Sequence, residues 1–385
     1  MRILHTSDWH IGRTFHGHST LDALRGVLEA LTAQVREHAV DVVVVAGDVF
    51  DSATPAATCY TVLSDTLRGL ADAGAQVVVT SGNHDSAARL GFQAGLLRDG
   101  IHVRTDPARL AEPVTIADEH GSVHFYGIPY LEPALLRAEW PDARSQAAVL
   151  DHAMRLVRTD LAARRTNGDR AVAIAHCFAA GVEATPHLER DIQQGGLDLV
   201  PPATFDGVDY AALGHIHGRQ RLAPHIRYCG APLHYSFGEG DKPRGSWLVE
   251  LDAAGLAGAR WLDLPVPRRL VTLRGTFADL VSDERHADAE DAWVSVEYTD
   301  ALPERDPMRR LQARFPFCAR VAHTPAAPPR DDPRSYAARV RTARSDLQLV
   351  DAFLVHVREG DGASEDEHEL LRAVLDDRTR AGAAA

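Results

Sequence analysis

Asp8, His10, Asp48, Asn83, His176, His215 and His217 are all side chains that bind metal ions, and each stands just past an apolar run. Together they offer carboxylate and amide oxygens with imidazole nitrogens. That mixed set suits manganese, iron or zinc, and the lack of thiolates in it argues against a structural zinc cluster. Asp48 is the natural bridge, because its two oxygens can each bind a different ion. Two ions roughly 3.5–4 Å apart can hold a phosphate ester, activate water and stabilise the charge that develops in an in-line displacement. His84 is left over from the ligand set. An imidazole near pH 7 suits the group that stabilises the transition state or protonates the leaving oxygen. Gly-Asp and Asn-His-Asp are also ordinary turn chemistry, so no single segment carries the reading. Five such turns, all ending in ligand-type residues, carry it jointly.

The elements that must position these residues are strands. Arg2–Ser7 reads as one, and residues two apart beyond it, Asp8 and His10, would share a face if the extended backbone continued. Val42–Ala46 is a β-branched run of the kind covered on both faces, ending in Gly47, which permits a sharp turn. Val77–Thr80, Ala171–Ala175 and Tyr210–Gly214 repeat the theme and deliver Asn83, His176 and the His215/His217 pair. Strand ends of this kind converge at the carboxyl edge of a sheet. Helical spacing covers Leu21 to Val35, Tyr60 to Leu70 and Ser145 to Arg165, while Arg227–Pro232 and Gly245–Leu251 read as strands closing a second sheet. Two facing sheets with outer helices fit this pattern.

The order Asp-x-His, Gly-Asp, Gly-Asn-His-Asp, His, Gly-His-x-His resembles the signature of the calcineurin-like metallophosphoesterases. The flanking stretches His5–Arg13, Ala46–Asp51, Ser81–Ser86 with Arg89–Phe92, and Leu213–His217 are similar to the nuclease-subunit family of bacterial SbcCD complexes. The resemblance covers about the first two-thirds of the chain by motif and the rest by architecture. It implies an α/β fold: a four-layer metallophosphoesterase sandwich, a small α+β capping domain and a C-terminal helix pair. It also implies two manganese ions, one surrounded by Asp8, His10, Asp48 and His217, the other by Asp48, Asn83, His176 and His215, with His84 as the catalytic histidine. Archaeal and eukaryotic relatives carry a second histidine where this chain has Asp51, which leaves the role of Asp51 open.

On this reading residues 1–265 form the nuclease domain and residues 266–323 the cap. Residues 324–344 are a Pro/Arg-rich linker, and 345–385 a helix–loop–helix. Ser345 with Gln348 and Ser364 with Glu367 are capping boxes for the last two helices. Two short helices cannot bury their stripes, Leu347, Val350, Leu354, Val357 and Leu370, Leu371, Val374, Leu375, on their own, so they must dock onto the rest of this protein or onto a partner. By the resemblance that partner is the SMC-like ATPase subunit, SbcC, and the other partner is DNA: duplex ends, hairpins and single strands. A homodimer within a heterotetramer is expected, with the Leu21–Val35 helix supplying its interface or packing on the sheet instead.

The chain has 385 residues, 45% hydrophobic and 25% charged, enough for a large core. Four scattered cysteines point to a reducing compartment, and no basic, apolar leader precedes Asp8. No apolar run reaches membrane-span length. The expected location is cytoplasmic, at the nucleoid. A net charge of −13 is unusual for a DNA enzyme and points to cations in the site and a partner that adds basic surface. The expected activity is a manganese-dependent nuclease, exonucleolytic on duplexes and endonucleolytic on single strands and hairpins. A small-molecule phosphoesterase and a non-catalytic end-tethering scaffold are the competing readings.

Overall fold

The computed structural model describes residues 1–92, 94–166, 168–181, 199–325, 336–358, 360 and 362–382. Within it the strand Val42–Ala46 shows how the sequence builds the layers, since every one of its residues is buried. Val43 and Val45 join the core formed with helices Leu21–Glu37 and Ala57–Asp72. Val42, Val44 and Ala46 turn the other way, into a core shared with Val172, Ile174, Tyr210 and Ala212 of a second sheet. A strand alternates its side chains, so one run of valines serves two cores.

The first sheet runs Gly255–Asp263, Gly245–Asp252, Arg2–Thr6, Val42–Ala46, Gln76–Thr80, Ile101–Arg104, the last four mutually parallel. The second runs Gln220–Ala223, Ile226–Tyr228, Tyr210–Gly214, Arg170–His176, Gly121–Gly127, Val114–Asp118. Its outer face is covered by helix Gln146–Arg164, whose Val149, Leu150, Ala153, Met154, Val157 and Leu161 pack over Ala171, Ala173 and Ala175. The result is the expected four-layer α/β sandwich.

One expectation changes. Gly245–Asp252 does not close the second sheet; it pairs antiparallel with Arg2–Thr6 in the first and brings Gly255–Asp263 to that sheet's edge. Alternating hydrophobicity identifies a strand but carries nothing about its partner. Of the two places expected for the helix at Leu21–Glu37, it takes the sheet, with Leu24, Val27, Leu28, Leu31 and Val35 all buried in the core of the same chain. Full burial of each such side chain contributes about 1.5–3 kcal/mol, which favours the sheet as its permanent seat.

The chain divides into two compact units. One holds Met1–Arg274, Leu280–Val296 and Asp306–Val321; the other holds Gly275–Asp279, Glu297–Arg305 and the described residues of Ala322–Ala385. The segment expected to form the cap supplies strands Leu270–Gly275, Trp293–Tyr298 and Cys318–His323 and helices Phe277–Ser282 and Pro307–Gln312. The expected linker falls mostly on residues 326–335, which lie outside the described residues. Helices Tyr336–Thr342, Asp346–Val357 and Glu365–Gly382 follow.

The second capping box is complete: Glu367 N–H donates to Ser364 Oγ, and Ser364 N–H donates to Glu367 Oε2. In the first, Gln348 N–H donates to Ser345 Oγ, but Gln348 Oε1 accepts from Arg344 rather than Ser345. Arg358 grips Glu367 with two bonds of 2.8 Å, closing the last two helices into a hairpin. Among the described residues, no helix is long and apolar enough to cross a membrane.

Candidate metal centre

The parallel strands of both sheets end at one edge; six of the seven expected ligands sit on the loops that leave them, and His176 is the last residue of its strand. Strand alternation is not what brings Asp8 and His10 together. The strand stops at Thr6, and both residues adopt left-handed backbone, with φ of 53° and 46°. Asp48, at 48°, and His215, at 105°, do the same. These are four of the seven non-glycine residues with positive φ among those described. Each such residue costs on the order of 1–3 kcal/mol and persists only where its surroundings impose it.

The surroundings are backbone ties. Asp8 N–H donates to Gly47 O at 3.0 Å, His10 N–H to Asp48 O at 2.9 Å, and Ile11 N–H to Val49 O at 2.9 Å. Asp85 adds a clamp: its carboxylate accepts from the N–H groups of Val49, Phe50 and Gly82 at 2.8–3.0 Å, joining the Asp48 loop to the Asn83 loop. Gly82 itself lies so close to Asp48 that a β-carbon would collide with its carboxylate and its backbone nitrogen.

The side chains then converge. His10 Nε2 and His217 Nε2 face each other at 3.1 Å, and His10 Nε2 lies 3.6 Å from Asp48 Oδ2. On the other side of Asp48, His176 Nε2 is 3.4 Å from Oδ2, 3.0 Å from Asn83 Oδ1 and 3.3 Å from His215 Nδ1. Asp8 Oδ1 accepts from His215 N–H at 2.9 Å, and carboxylates or imidazoles of Asp8, His10 and His217, of His10, Asp48 and His84, and of Asp8, Asp48 and His176, cluster closely enough to share an ion. Asp8, His10, Asp48, His176 and His217 are buried; Asn83 is exposed.

Tautomers make this arrangement suited to cations. The Nδ1 atoms of His10 and His217 face the carboxylates of Asp51 and Glu239 at 3.3 and 3.4 Å, and His176 Nδ1 faces Ala46 O at 3.0 Å. Those acceptors call for N–H at Nδ1, which leaves each Nε2 a lone pair. In the neutral rings, lone pairs and carboxylate oxygens are thus turned on one another, an arrangement that a divalent ion satisfies.

The electrostatics agree. Burial pushes His10 down to about 4 and His215 down to about 3, keeping both imidazoles neutral. Burial also opposes charge on His176, but the facing carboxylates of Asp48 and Asp8 lift it to about 9, so without a metal ion its Nε2 holds a proton that a cation would displace. Asp8 is raised by burial, whereas Asp48, despite its burial, is held well below the usual range by His176, with His10 and His84. The site attracts positive charge.

His84, expected to lie outside the ligand set, is close to it: with His10 and Asp48 it forms a group near enough to share an ion. Its N–H donates to Asp48 Oδ1 at 2.9 Å, its Nδ1 faces the carbonyl of Asp51 at 2.9 Å, and its side chain is 38% exposed. Sequence reasoning missed the groups behind the ligands: Asp51 as a neighbour of His10, Glu239 of His217, and Tyr235, whose hydroxyl donates to Trp9 O at 2.8 Å. Asp51 carried one signal, its closeness to Asp48. Glu239 carried none.

The calcineurin-like phosphoesterase family profile matches residues 1–219, and that of the Type 5 capsule protein repressor C-terminal domain matches residues 266–358. The SbcD component of the SbcCD nuclease from Escherichia coli (strain K12), and its counterpart from Escherichia coli O157:H7, are each 30% identical over 327 residues, covering 81% of this chain and 82% of theirs. A solved structure, GAP50 the anchor in the inner membrane complex of Plasmodium, overlaps 86% of this chain and 98% of its own at 11% identity and a TM-score of 0.37, too low to carry an argument.

Proposed function

Because this chain belongs to the calcineurin-like phosphoesterase family, we propose that it is a metal-dependent phosphodiesterase that cleaves DNA, the nuclease subunit of a complex with an SMC-like ATPase. The observation that carries this reading is the ring of imidazole and carboxylate acceptors turned on one another across Asp48. Asp8, His10, Asp48 and His217 would hold one divalent ion and Asp48, Asn83, His176 and His215 the other, with manganese as the metal. When bound, such ions polarise phosphoryl oxygens and acidify water. The chain does the rest. Asp48 fixes the backbone of His84, and the carbonyl of Asp51 holds its Nδ1 proton, so Nε2 of the protonated ring is the nitrogen that gives its proton to a departing 3′ oxygen.

The expected activities are exonucleolytic on duplex ends and endonucleolytic on single strands and hairpins. We assign residues 1–265 to the nuclease domain, 266–323 to the cap that orients DNA, 324–344 to the linker and 345–385 to the ATPase-binding helix pair. Support for the last comes from the relatives, which are one component of a two-part nuclease. Support comes also from apolar side chains left in water: Leu349, Phe353, Val357, Leu370 and Val374 are all exposed. The assembly is a homodimer within a heterotetramer, in the cytoplasm at the nucleoid. The deciding experiment offers the manganese-loaded protein linear duplex DNA and a cyclic nucleotide side by side. Cleavage of DNA alone is the expected result; turnover of the cyclic nucleotide alone would make it a small-molecule phosphoesterase.

A further inference from the structure

The two histidine pairs of the centre are supported unequally. Behind His10 stands Asp51, its Oδ1 3.3 Å from Nδ1, and Arg13 Nη1 donates to that same oxygen at 3.0 Å. Behind His217 stands Glu239, fully buried, its Oε1 3.4 Å from Nδ1 and its Oε2 3.1 Å from Arg244 Nη2. His10 Nδ1, His217 Nδ1 and Glu239 Oε1 are buried and close no hydrogen bond, so each histidine meets its carboxylate as an ion-pair contact, at 3.3 and 3.4 Å. Arg244 is itself buried and donates to the carbonyls of His217 and Ala231 at 2.6 and 3.1 Å, locking Glu239 and the His217 loop into one piece. Each histidine on this side is therefore backed by a carboxylate, and each carboxylate is pinned by an arginine.

The other side is built differently. His176 Nδ1 is met by a neutral carbonyl, Ala46 O, and His215 Nε2 is buried without a hydrogen-bond partner. A carboxylate behind an imidazole fixes the tautomer and makes the opposite nitrogen a stronger ligand, an effect that typically amounts to 10–100-fold in metal affinity. A neutral carbonyl fixes the tautomer with less charge.

Resting on the two-ion reading of the centre, we infer that Asp51 and Glu239 are positioning residues that make its two cation positions unequal. The position framed by His10 and His217 binds its divalent ion first and more tightly. The position framed by Asn83, His176 and His215 fills second and exchanges. Arg13 and Arg244 serve this asymmetry by holding the two carboxylates back, so that they orient the imidazoles and do not swing in as ligands themselves. This also gives Asp51 a role: it stands behind His10 through its side chain and behind His84 through its carbonyl.

The test is calorimetric titration of the full-length, metal-stripped protein with manganese, with free ion followed by electron paramagnetic resonance. Wild type should take up two ions in two resolved steps. Asp51→Asn and Glu239→Gln should each weaken the first step 10–100-fold and leave the second within about threefold. Two equal steps in wild type, an unmoved first step, or equal weakening of both steps would overturn the inference. Uptake of fewer than two ions by wild type would instead refute the two-ion reading itself. Asp51 is 30% exposed at its side chain, so its variant keeps the test open should the buried Glu239 variant fail to fold.

Discussion

His84 borders the ligands, with its ring centroid 4.8 Å from that of His10 and its nitrogens within reach of an ion held by His10 and Asp48, but its Nδ1 is engaged by the backbone carbonyl of Asp51. His84→Ala should therefore keep both manganese ions, counted by calorimetry, while cleavage of duplex DNA falls at least 10²-fold. A variant with wild-type cleavage would remove His84 from the mechanism. Gly82 makes the opposite prediction. A methyl group there meets the Asp48 carboxylate and backbone nitrogen, so Gly82→Ala should lose metal binding and cleavage together. Asp85→Ala leaves three backbone N–H groups without their acceptor and should lower stability by about 1–3 kcal/mol in urea unfolding.

Among the elements, strands were the most legible part of the sequence. Val42–Ala46 and Ala171–Ala175 announce themselves because burial on both faces demands an unbroken apolar run, and a ligand directly after such a run is conspicuous. The backbone of those ligands was not legible. Nothing in the letters Asp-Trp-His tells extended from left-handed conformation, because the ties that impose φ of 53° and 46° come from Gly47 and Asp48, some forty residues on. Partners were equally hidden: Gly245–Asp252 reads as a strand, but its place beside Arg2–Thr6 depends on closure of a chain segment more than two hundred residues long. Glu239 escaped for the same reason, since its neighbour is chosen by the folded loop and not by spacing. The terminal helices were read from their caps and stripes, and they carry their own prediction. A chain ending at Pro325 should fail to co-purify with the ATPase subunit and still hydrolyse a small phosphodiester at the full-length rate; retention of the ATPase would disprove the assignment.

At the scale of the molecule the acidic balance of −13 and the buried pair Asp8 and Asp48 point the same way: the folded chain is a poor host for its own negative charge until cations join it. An ion supplied at a hundred times its dissociation constant stabilises the native state by about 2.7 kcal/mol. Chelation should accordingly lower the melting temperature by several degrees, and manganese should restore it, as read by differential scanning calorimetry. A melting curve indifferent to chelator would mean that the cluster holds no ion.

The ligands also divide by layer, with Asp8, Asp48 and Asn83 hanging from one sheet and His176, His215 and His217 from the other. Cations seated among them would rivet the sandwich along its open rim. Without them the two sheets would still share their apolar core, so the loss of the ions would loosen the rim while the layers beneath it stay joined.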